Sequence, residues 1–424
     1  MNQNISDVHI SSAHFVAGLS AYYFDDQKAI KNGASEDGFI YQGEPITAGF
    51  SSVRQGGESI SVMLQLSNGQ WAIGDCCAVQ YSGAGGRDPL FLAERYITFL
   101  EQEISPKLVG LNATDFIANC KLVEEFQANG KTLHTAIRYG LSQALLDAAA
   151  IAHGCTKTEV ICQSYQLDIP TKRVPLFAQS GDERYLSIDK MVIRKVDALP
   201  HALINNIDDK LGRHGEKLLE YIEWLVARIR KVSTTLGYDN YKPKIHIDVY
   251  GTIGLLYNND IAAITDYLSK LAMAAGDSEL YIEGPIDMGE KKSQIEAMAA
   301  IKQGIEQTNS NLKIVADEWC NTLTDIIDFV DADCCHMAQI KTPDLGCLHN
   351  VVEAVLYCKD NNTEAYQGGT CNETDISSRT CVQLALATQP ERLLIKPGMG
   401  FDEGMQIVDN EMQRTLAQLS VRTT

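Results

Sequence analysis

Eight short runs of apolar and β-branched residues, separated by stretches of helix length, fill the larger C-terminal part of this 424-residue chain. Between them, apolar residues recur at helical spacing, for example in 221–234, 261–275, 291–307 and 377–388. Strands that alternate with helices form parallel sheets, and eight such units have the length of a closed (β/α)₈ barrel. We therefore predict a parallel α/β barrel whose strands are the runs 174–179, 190–194, 244–248, 280–283, 313–317, 336–341, 364–367 and 392–395.

The N-terminal part has a different pattern. Residues 50–77 read as alternating strands with Asn68-Gly69 at a turn, the strongest short-range signal for a β-hairpin. Helical spacing follows over 91–104 and 132–152, and Gly154 is placed to cap the second helix. We expect an α+β domain over 1–170 and the barrel over 171–424, closed by a last helix near 403–419.

Composition excludes several classes of protein. No apolar run reaches the roughly 18 residues that a membrane span requires, and the first residues resemble neither a secretory signal nor a transit peptide, so we expect a cytoplasmic protein without a membrane partner. The net charge of −19 disfavours nucleic acid and means that an anion site needs its own positive charge. The 12 scattered cysteines, none of them in a C-x-x-C motif, suggest reduced thiols.

Three predicted strands end in an acid. Asp248, Glu283 and Asp317 follow one another at intervals of 35 and 34 residues, about one βα unit each. One such acid is commonly a helix cap or a partner of a nearby lysine. Because the carboxyl ends of barrel strands face one site, three in register favour a shared hard cation with oxygen ligands, Mg²⁺.

The sixth run ends in Gln339-Ile340-Lys341, where period-two alternation places Gln339 and Lys341 on the inner face. A lysine beside a divalent cation loses proton affinity, as a general base near neutral pH requires. The alternative is a surface lysine that begins a loop. His201 follows the second run and, taken alone, reads as an ordinary loop histidine.

Two glycine-rich stretches, 82–86 and 398–404, invite comparison with nucleotide-binding loops. The first lacks the Lys-Ser/Thr of a P-loop, and the second leaves too few residues for a βαβ unit. We interpret both as turns that bind no phosphate.

Five segments carry a resemblance to a known family: KIHIDVYGTIG (244–254), YIEGP (281–285), VADEW (315–319), QIKTPDLG (339–346) and YQGGTCNET (366–374). With them the chain resembles the methylaspartate ammonia-lyases over nearly its whole length. The resemblance implies a (β/α)₈ TIM-like barrel of the enolase superfamily with an N-terminal α+β capping domain. Acids on strands three to five are shared across that superfamily. His201, the Gln339/Lys341 pair and the QGGTC segment together are specific to a narrower group of its members.

The resemblance also implies residue roles. Asp248, Glu283 and Asp317 would bind Mg²⁺, Lys341 would be the principal base with His201 as a second catalytic residue, and the substrate carboxylates would be held by Gln179, His201, Gln339, Thr370 and the backbone at Cys371. The implied reaction is the reversible elimination of ammonia from L-threo-3-methylaspartate to mesaconate, a step of glutamate catabolism by the methylaspartate route. A homodimer and activation by a monovalent cation such as K⁺ are implied as well.

Two alternatives stay open at the level of sequence. Another superfamily enzyme, a racemase, dehydratase or cycloisomerase, would share the metal site and abstract a proton beside a different carboxylate. A catalytically silent paralogue would bind the metal without turnover, although every proposed ligand and base is present.

Overall fold

The computed structural model describes residues 8–181, 183–308 and 310–422. Its N-terminal part is built on a three-stranded antiparallel sheet in the order β1-β4-β5. The strands of this part are β1 Ile10–Asp25, β2 Ser35–Asp37, β3 Ile40–Gln42, β4 Arg54–Leu66, β5 Trp71–Cys77, β6 Gln127–Ala128 and β7 Lys131–Thr132. The helices are α1 Gln27–Lys31, α2 Ile97–Phe99, α3 Ser105–Leu108, α4 Phe116–Glu124, α5 Thr135–His153 and α6 Lys157–Tyr165.

The predicted hairpin is confirmed, because β4 and β5 pair antiparallel across the turn at Asn68-Gly69. The helix predicted over 132–152 is α5, which ends at Gly154 with φ 63°. The helix predicted over 91–104 is instead broken into a 3₁₀ turn, α2 and a π turn over Leu100–Ile104. Helix α5 lies directly on β5, since a Cβ at Gly74 would stand 2.3 Å from the Gly140 carbonyl oxygen. A side chain at Gly74 would therefore push the helix off the sheet.

The C-terminal part is a closed barrel of eight parallel strands in the cyclic order β10-β11-β12-β13-β14-β15-β8-β9. Its strands are β8 Leu176–Phe177, β9 Ala198–Leu203, β10 Lys244–Asp248, β11 Leu280–Glu283, β12 Leu312–Ala316, β13 Met337–Ile340, β14 Glu364–Gln367 and β15 Arg392–Leu394. Its helices are α7 Leu186–Ile193, α8 Glu216–Thr235, α9 Thr252–Leu256, α10 Ile261–Ala275, α11 Lys291–Glu306, α12 Leu323–Asp331, α13 Leu348–Asp360, α14 Asp375–Thr388 and α15 Asp402–Arg422.

The prediction of the second barrel strand was wrong. Residues 190–193 form the end of helix α7 and Arg194 is its C-cap; Ile188, Met191 and Val192 are buried at helical spacing. The strand is β9, which begins at Ala198 and contains Pro200. The β-branched run concealed the helical period, and the proline concealed the strand.

A β-bulge lies in this second strand. Pro200 pairs with His246 and Ala202 with Ile247, so His201 is an extra residue between two neighbouring pairs, and its φ is 45°. The sequence places His201 in a loop after the second strand, but in the structure His201 lies within the strand. A bulge turns the side chain of the extra residue out of the regular alternation, which is a common device beside active sites.

The described part of the chain contains no helix long and apolar enough to cross a membrane. All 12 cysteines carry free thiols, as their scatter along the sequence predicted.

Candidate active site

Three buried carboxylates meet at the carboxyl ends of neighbouring barrel strands. Asp248 is the last residue of β10, Glu283 is the last residue of β11, and Asp317 directly follows β12. The register of the parallel ladder places Asp248 directly beside Glu283. The strand-end acids thus converge as the barrel geometry requires.

His201 joins two of these acids. Candidate ligand atoms of His201, Asp248 and Glu283 all lie within 4.8 Å of one another. His201 Nε2 lies 3.5 Å from Glu283 Oε2 and 4.0 Å from Asp248 Oδ2, but neither ring nitrogen makes a hydrogen bond. A buried imidazole with both nitrogens unpaired is suited to bind a ligand or take a proton.

Hydrogen bonds from inside the barrel fix the Glu283 carboxylate. His246 lies 2.8 Å from Oε2, Gln339 Nε2 donates to Oε1 at 2.8 Å, and the Tyr366 hydroxyl lies 2.8 Å from both oxygens. Burial lowers the pKa of His246 to about 3, so its ring is neutral. Burial opposes ionisation of Glu283, but the neighbouring imidazoles of His201 and His246 outweigh it and hold the pKa of Glu283 below its usual value.

Further inside the barrel, Arg392 sets the orientation of His246. Arg392 Nη1 lies 3.4 Å from His246 Nδ1, and its guanidinium stacks on Tyr281 at 4.0 Å. An arginine can only donate, so Nδ1 accepts and Nε2 carries the proton that is directed at Glu283. A polar chain therefore runs through the barrel from Arg392 to the carboxylate.

Lys341 faces the third acid. Its Nζ lies 2.7 Å from Asp317 Oδ1 and 2.9 Å from Oδ2. Burial opposes the ammonium form, but the negative charges of Asp317 and Glu318 outweigh it and raise the pKa of Lys341. Burial together with the charge of Asp317 raises the pKa of Glu318 to about 8. Lys341 therefore lies in a strongly anionic environment.

The donor set fits a hard divalent cation. Burial, followed by the charges of Glu283 and Asp317, raises the pKa of Asp248 well above its usual value. Ionisation of Asp248 is thus opposed both by its burial and by the negative charge of the neighbouring carboxylates, and positive charge beside it would favour its ionised form. A divalent cation with oxygen ligands would supply that charge, and the oxygen-rich set suits Mg²⁺ better than a softer metal.

The remaining predicted site residues line the same cavity, together with Asp248, Asp317, Lys341 and His201. Gln179 Nε2 donates to the carbonyl oxygens of Ile395 and Gly398, at 3.0 Å each. The Gln339 Oε1 atom is buried without a hydrogen-bond partner. Thr370 and Cys371 form one wall, where the Asn372 amide donates to Thr370 Oγ1 at 3.2 Å.

Sequence reasoning missed the residues that the N-terminal part brings to this cavity, Gln80, Tyr81 and Arg87. Arg87 directly follows the first glycine-rich stretch, in which Gly83, Gly85 and Gly86 all have positive φ. Its Nε donates to Asp344 Oδ2 at 2.7 Å, and Nη2 lies 4.0 Å from Asp317 Oδ1. A basic residue after a tight glycine turn was the available signal. Which residues Arg87 contacts depends on how the N-terminal part docks on the barrel.

A larger cavity of about 680 Å³ lies at the opposite end of the barrel, lined in part by Asp197, Lys244, Glu391 and Arg392. The converging carboxylates and Lys341 do not line it. Because active sites of such barrels lie at the carboxyl ends of the strands, the smaller cavity with the acids is the candidate site.

Comparison with known proteins agrees with this geometry. The family model for the N-terminus of methylaspartate ammonia-lyase matches residues 8–166, and the model for the C-terminus matches residues 168–421. The chain is 57% identical to the methylaspartate ammonia-lyase of Citrobacter amalonaticus over 97% of this chain and 99% of the relative. It is 52% identical to the one from Clostridium tetanomorphum over 96% of this chain and 97% of the relative.

Solved structures give the same result. The Citrobacter amalonaticus enzyme containing (2S,3S)-3-methylaspartic acid superposes with a TM-score of 0.95, covering 97% of this chain and all of that one. A Mg complex of β-methylaspartase from Clostridium tetanomorphum, 51% identical, superposes with a TM-score of 0.92, covering 98% and 100%. Muconate lactonizing enzyme from Pseudomonas fluorescens, 14% identical with a TM-score of 0.59 over 89% of this chain and 84% of that one, has the same fold. The chain belongs to the methylaspartate ammonia-lyase family.

Proposed function

We propose that this enzyme eliminates ammonia from L-threo-3-methylaspartate in a Mg²⁺-dependent, reversible reaction that yields mesaconate. The observation that carries the proposal is the cavity at the carboxyl ends of the barrel strands, where Asp248, Asp317, His201 and Lys341 face one space. Family membership over both parts of the chain supports the choice of substrate.

The metal site in this proposal consists of Asp248, Glu283 and Asp317. Mg²⁺ bound there would supply positive charge to the substrate carboxylate next to the carbon that loses its proton. Tyr366, Gln339 and the neutral ring of His246 hold Glu283 by hydrogen bonds, so that this ligand is oriented before any substrate arrives.

Lys341 is the proposed principal base. Its unprotonated amine takes the proton from C3, the C2–C3 double bond forms, and the C2–N bond breaks as ammonia leaves with the bonding electrons. The leaving amine is already protonated in the substrate, so its departure requires no strong acid. The 2.7 Å contact of Lys341 with Asp317 fixes the amine beside the proposed metal site.

His201 is proposed as a second catalytic residue that also contacts a substrate carboxylate. Its strand β9 and β13, the strand that Lys341 directly follows, are four apart in the cyclic order of the eight strands. The two side chains therefore approach the cavity from opposite sides. A base on each side would reach only the proton on its own face of a substrate whose position is fixed.

The substrate carboxylates are proposed to bind Gln179, Gln339, Thr370 and the backbone at Cys371. Both glutamine amides donate to protein oxygens in this structure, Gln179 to Ile395 and Gly398, and Gln339 to Glu283. Each would exchange one of these hydrogen bonds for one to the substrate. Exchange between equivalent partners costs little, because the number of hydrogen bonds is conserved.

Three further features are proposed from the resemblance and the sequence: a homodimer, activation by a monovalent cation such as K⁺, and a cytoplasmic location. Light scattering at several protein concentrations tests the dimer, and replacing K⁺ by a bulky organic cation at constant ionic strength tests the activation. A monomeric mass at all concentrations, or equal rates in both salts, would remove the respective feature.

The function is tested by incubating the purified protein with L-threo-3-methylaspartate and Mg²⁺ and following mesaconate by its ultraviolet absorbance. A parallel sample with chelator controls for metal-independent absorbance. Absence of mesaconate would overturn the proposal. In that case, turnover of another carboxylate would favour a racemase, dehydratase or cycloisomerase, and Mg²⁺ binding without turnover of any acid would favour a silent paralogue.

A further inference from the structure

A fully buried ion pair that the proposed reaction does not use lies behind the cavity. Lys396, just after β15, and Glu373 are both 0% exposed, and Lys396 Nζ lies 2.6 Å from Glu373 Oε1. Thr342 and Tyr139 complete what we call the ion-pair cluster. The Thr342 hydroxyl donates to Glu373 Oε1 at 2.8 Å, and the Tyr139 hydroxyl donates to Oε2 at 2.9 Å.

Every donor of the Lys396 ammonium has an acceptor. Beyond Glu373, its Nζ donates to the Gly368 carbonyl oxygen at 2.6 Å and to Thr342 Oγ1 at 3.1 Å. An ammonium has three N–H groups, so none is left over. Buried charges that are paired and fully hydrogen-bonded form a rigid arrangement, whereas a half-paired one would be strongly destabilising.

The cluster joins four parts of the fold. Thr342 directly follows the proposed base Lys341, Gly368 follows β14, Lys396 follows β15, and Tyr139 comes from helix α5 of the N-terminal part. The Glu373 amide also donates to the Thr370 carbonyl oxygen at 3.2 Å. The loop between β14 and α14 is therefore held from behind at two points, one on either side of Gly369.

The contact with this loop is as close as the chain permits. A Cβ at Gly369 would stand 2.2 Å from Lys396 Nζ and 2.4 Å from Glu373 Oε1, and φ there is +137°. Only glycine fits at that position. Gly369 also lines the active-site cavity together with Thr370 and Cys371, so a single residue separates the ion pair from the space for substrate.

We propose that the Lys396–Glu373 pair is a positioning unit. It fixes how far the backbone segment from Gly369 to Cys371 lies from the substrate carboxylate. The inference rests on the proposed function and adds a requirement for these two residues. The pair acts through the backbone of the segment and does not itself touch the substrate. An error of about 1 Å in such a segment is enough to lower kcat/KM by about 10²-fold.

The test uses the full-length enzyme with the double substitution Lys396→Met and Glu373→Gln, which removes both charges at nearly constant volume. Breaking only one partner would leave a buried charge unpaired and risk unfolding. The matched control is Lys244→Met with Glu391→Gln, which removes a partly exposed pair with a 2.5 Å contact at the opposite end of the barrel. A milder variant, Tyr139→Phe, removes the hydroxyl that contacts Glu373, Cys381 and Thr342, none of which lines the cavity.

The measurements are KM and kcat for 3-methylaspartate and the Mg²⁺ dissociation constant by calorimetry without substrate. We expect the double variant to raise KM about tenfold or more with a smaller fall in kcat, and Tyr139→Phe to raise KM about threefold or more. The Mg²⁺ dissociation constant of the double variant and of Tyr139→Phe should stay within about twofold of the wild type, since the Asp248–Glu283 site is separate from the ion-pair cluster. The control variant should keep the wild-type KM.

Unchanged KM in a folded double variant would overturn the inference, as would a parallel loss of Mg²⁺ affinity, which would reveal a general loosening of the barrel. If the double variant fails to fold, Tyr139→Phe decides alone, and a wild-type KM overturns the inference. An inactive wild type would contradict the proposed function instead, so the two failures are distinguishable.

Discussion

Replacing Tyr366 by phenylalanine removes a single oxygen atom from behind the proposed metal site. That hydroxyl lies 2.8 Å from both oxygens of Glu283 and also accepts a hydrogen bond from Gln339. Tyr366 is 0% exposed, so bulk solvent does not reach the place of the missing hydroxyl. The substitution therefore tests whether the orientation of Glu283 matters for binding the cation.

The magnitude follows from the kind of bond that is lost. A hydrogen bond to a charged group contributes about 1.5 to 3 kcal/mol, which corresponds to roughly 10- to 150-fold in an equilibrium constant. His246 and Gln339 remain as donors to Glu283, so the lower part of this range applies. We expect the Mg²⁺ dissociation constant to rise by about 10- to 50-fold, within the range seen when supports of metal ligands are removed.

Calorimetric titration with Mg²⁺ measures this constant directly, and mesaconate formation as a function of Mg²⁺ concentration gives the apparent constant during turnover. Because Lys341 is not disturbed, kcat should return to within several-fold of the wild type at saturating Mg²⁺.

The matched control for this test is Tyr281→Phe. Tyr281 is also 0% exposed, but its hydroxyl contacts Glu279 and Glu364 at the other end of the barrel, at 2.7 and 2.9 Å. The control should bind Mg²⁺ as the wild type does. The reasoning fails if Tyr366→Phe binds Mg²⁺ within about twofold of the wild type, or if both variants lose affinity equally.

Three further predictions concern the proposed catalytic groups. Asp248→Asn and Asp317→Asn should each nearly abolish turnover and Mg²⁺ binding with unchanged circular dichroism, and chelation should abolish wild-type activity until Mg²⁺ is returned; activity after exhaustive chelation would exclude the metal. Lys341→Ala should lower kcat by at least about 10²- to 10⁴-fold, as expected for a lost general base, and near-normal single-turnover rates would contradict the assignment. His201→Ala and Lys341→Ala should impair opposite C3 diastereomers of 3-methylaspartate in kcat/KM measurements, whereas equal losses would mean that the two residues act as one unit.

The barrel could be predicted because the alternation of strands and helices is visible in short stretches of the sequence. Seven of the eight predicted runs coincide with barrel strands, and α10 begins and ends where its apolar spacing indicated. The second strand could not be predicted in this way, because Pro200 reads as a break and the preceding helix α7 carries three consecutive apolar residues, Met191 to Ile193. His201 was singled out from its place in the series, but its bulge depends on pairing with β10.

Some residues that support the site are placed by local sequence, and others are placed by contacts between distant parts of the chain. His246 could have been found from sequence, because it precedes Asp248 by two residues and strand alternation puts both on the inner face. Arg87 and Gln80 could not, since their place at the cavity depends on how the N-terminal part docks on the barrel. Likewise, no local pattern pairs Lys396 with Glu373, although a buried lysine after a strand invites the search for a partner.

The charge around the cavity explains why an acidic chain can bind a substrate with two carboxylates. The cationic side chains nearest the cavity are each paired with a carboxylate: Arg87 with Asp344, and Lys341 with Asp317. Neither of them pairs with Asp248, whose pKa is raised first by its burial and then by the negative charges of Glu283 and Asp317. Positive charge for the substrate must be added from outside the chain, and the same carboxylates that repel an anion are the ones that can hold a divalent cation. The acidity of the site and its capacity to accept a dicarboxylate are thus consistent only when a cation is bound.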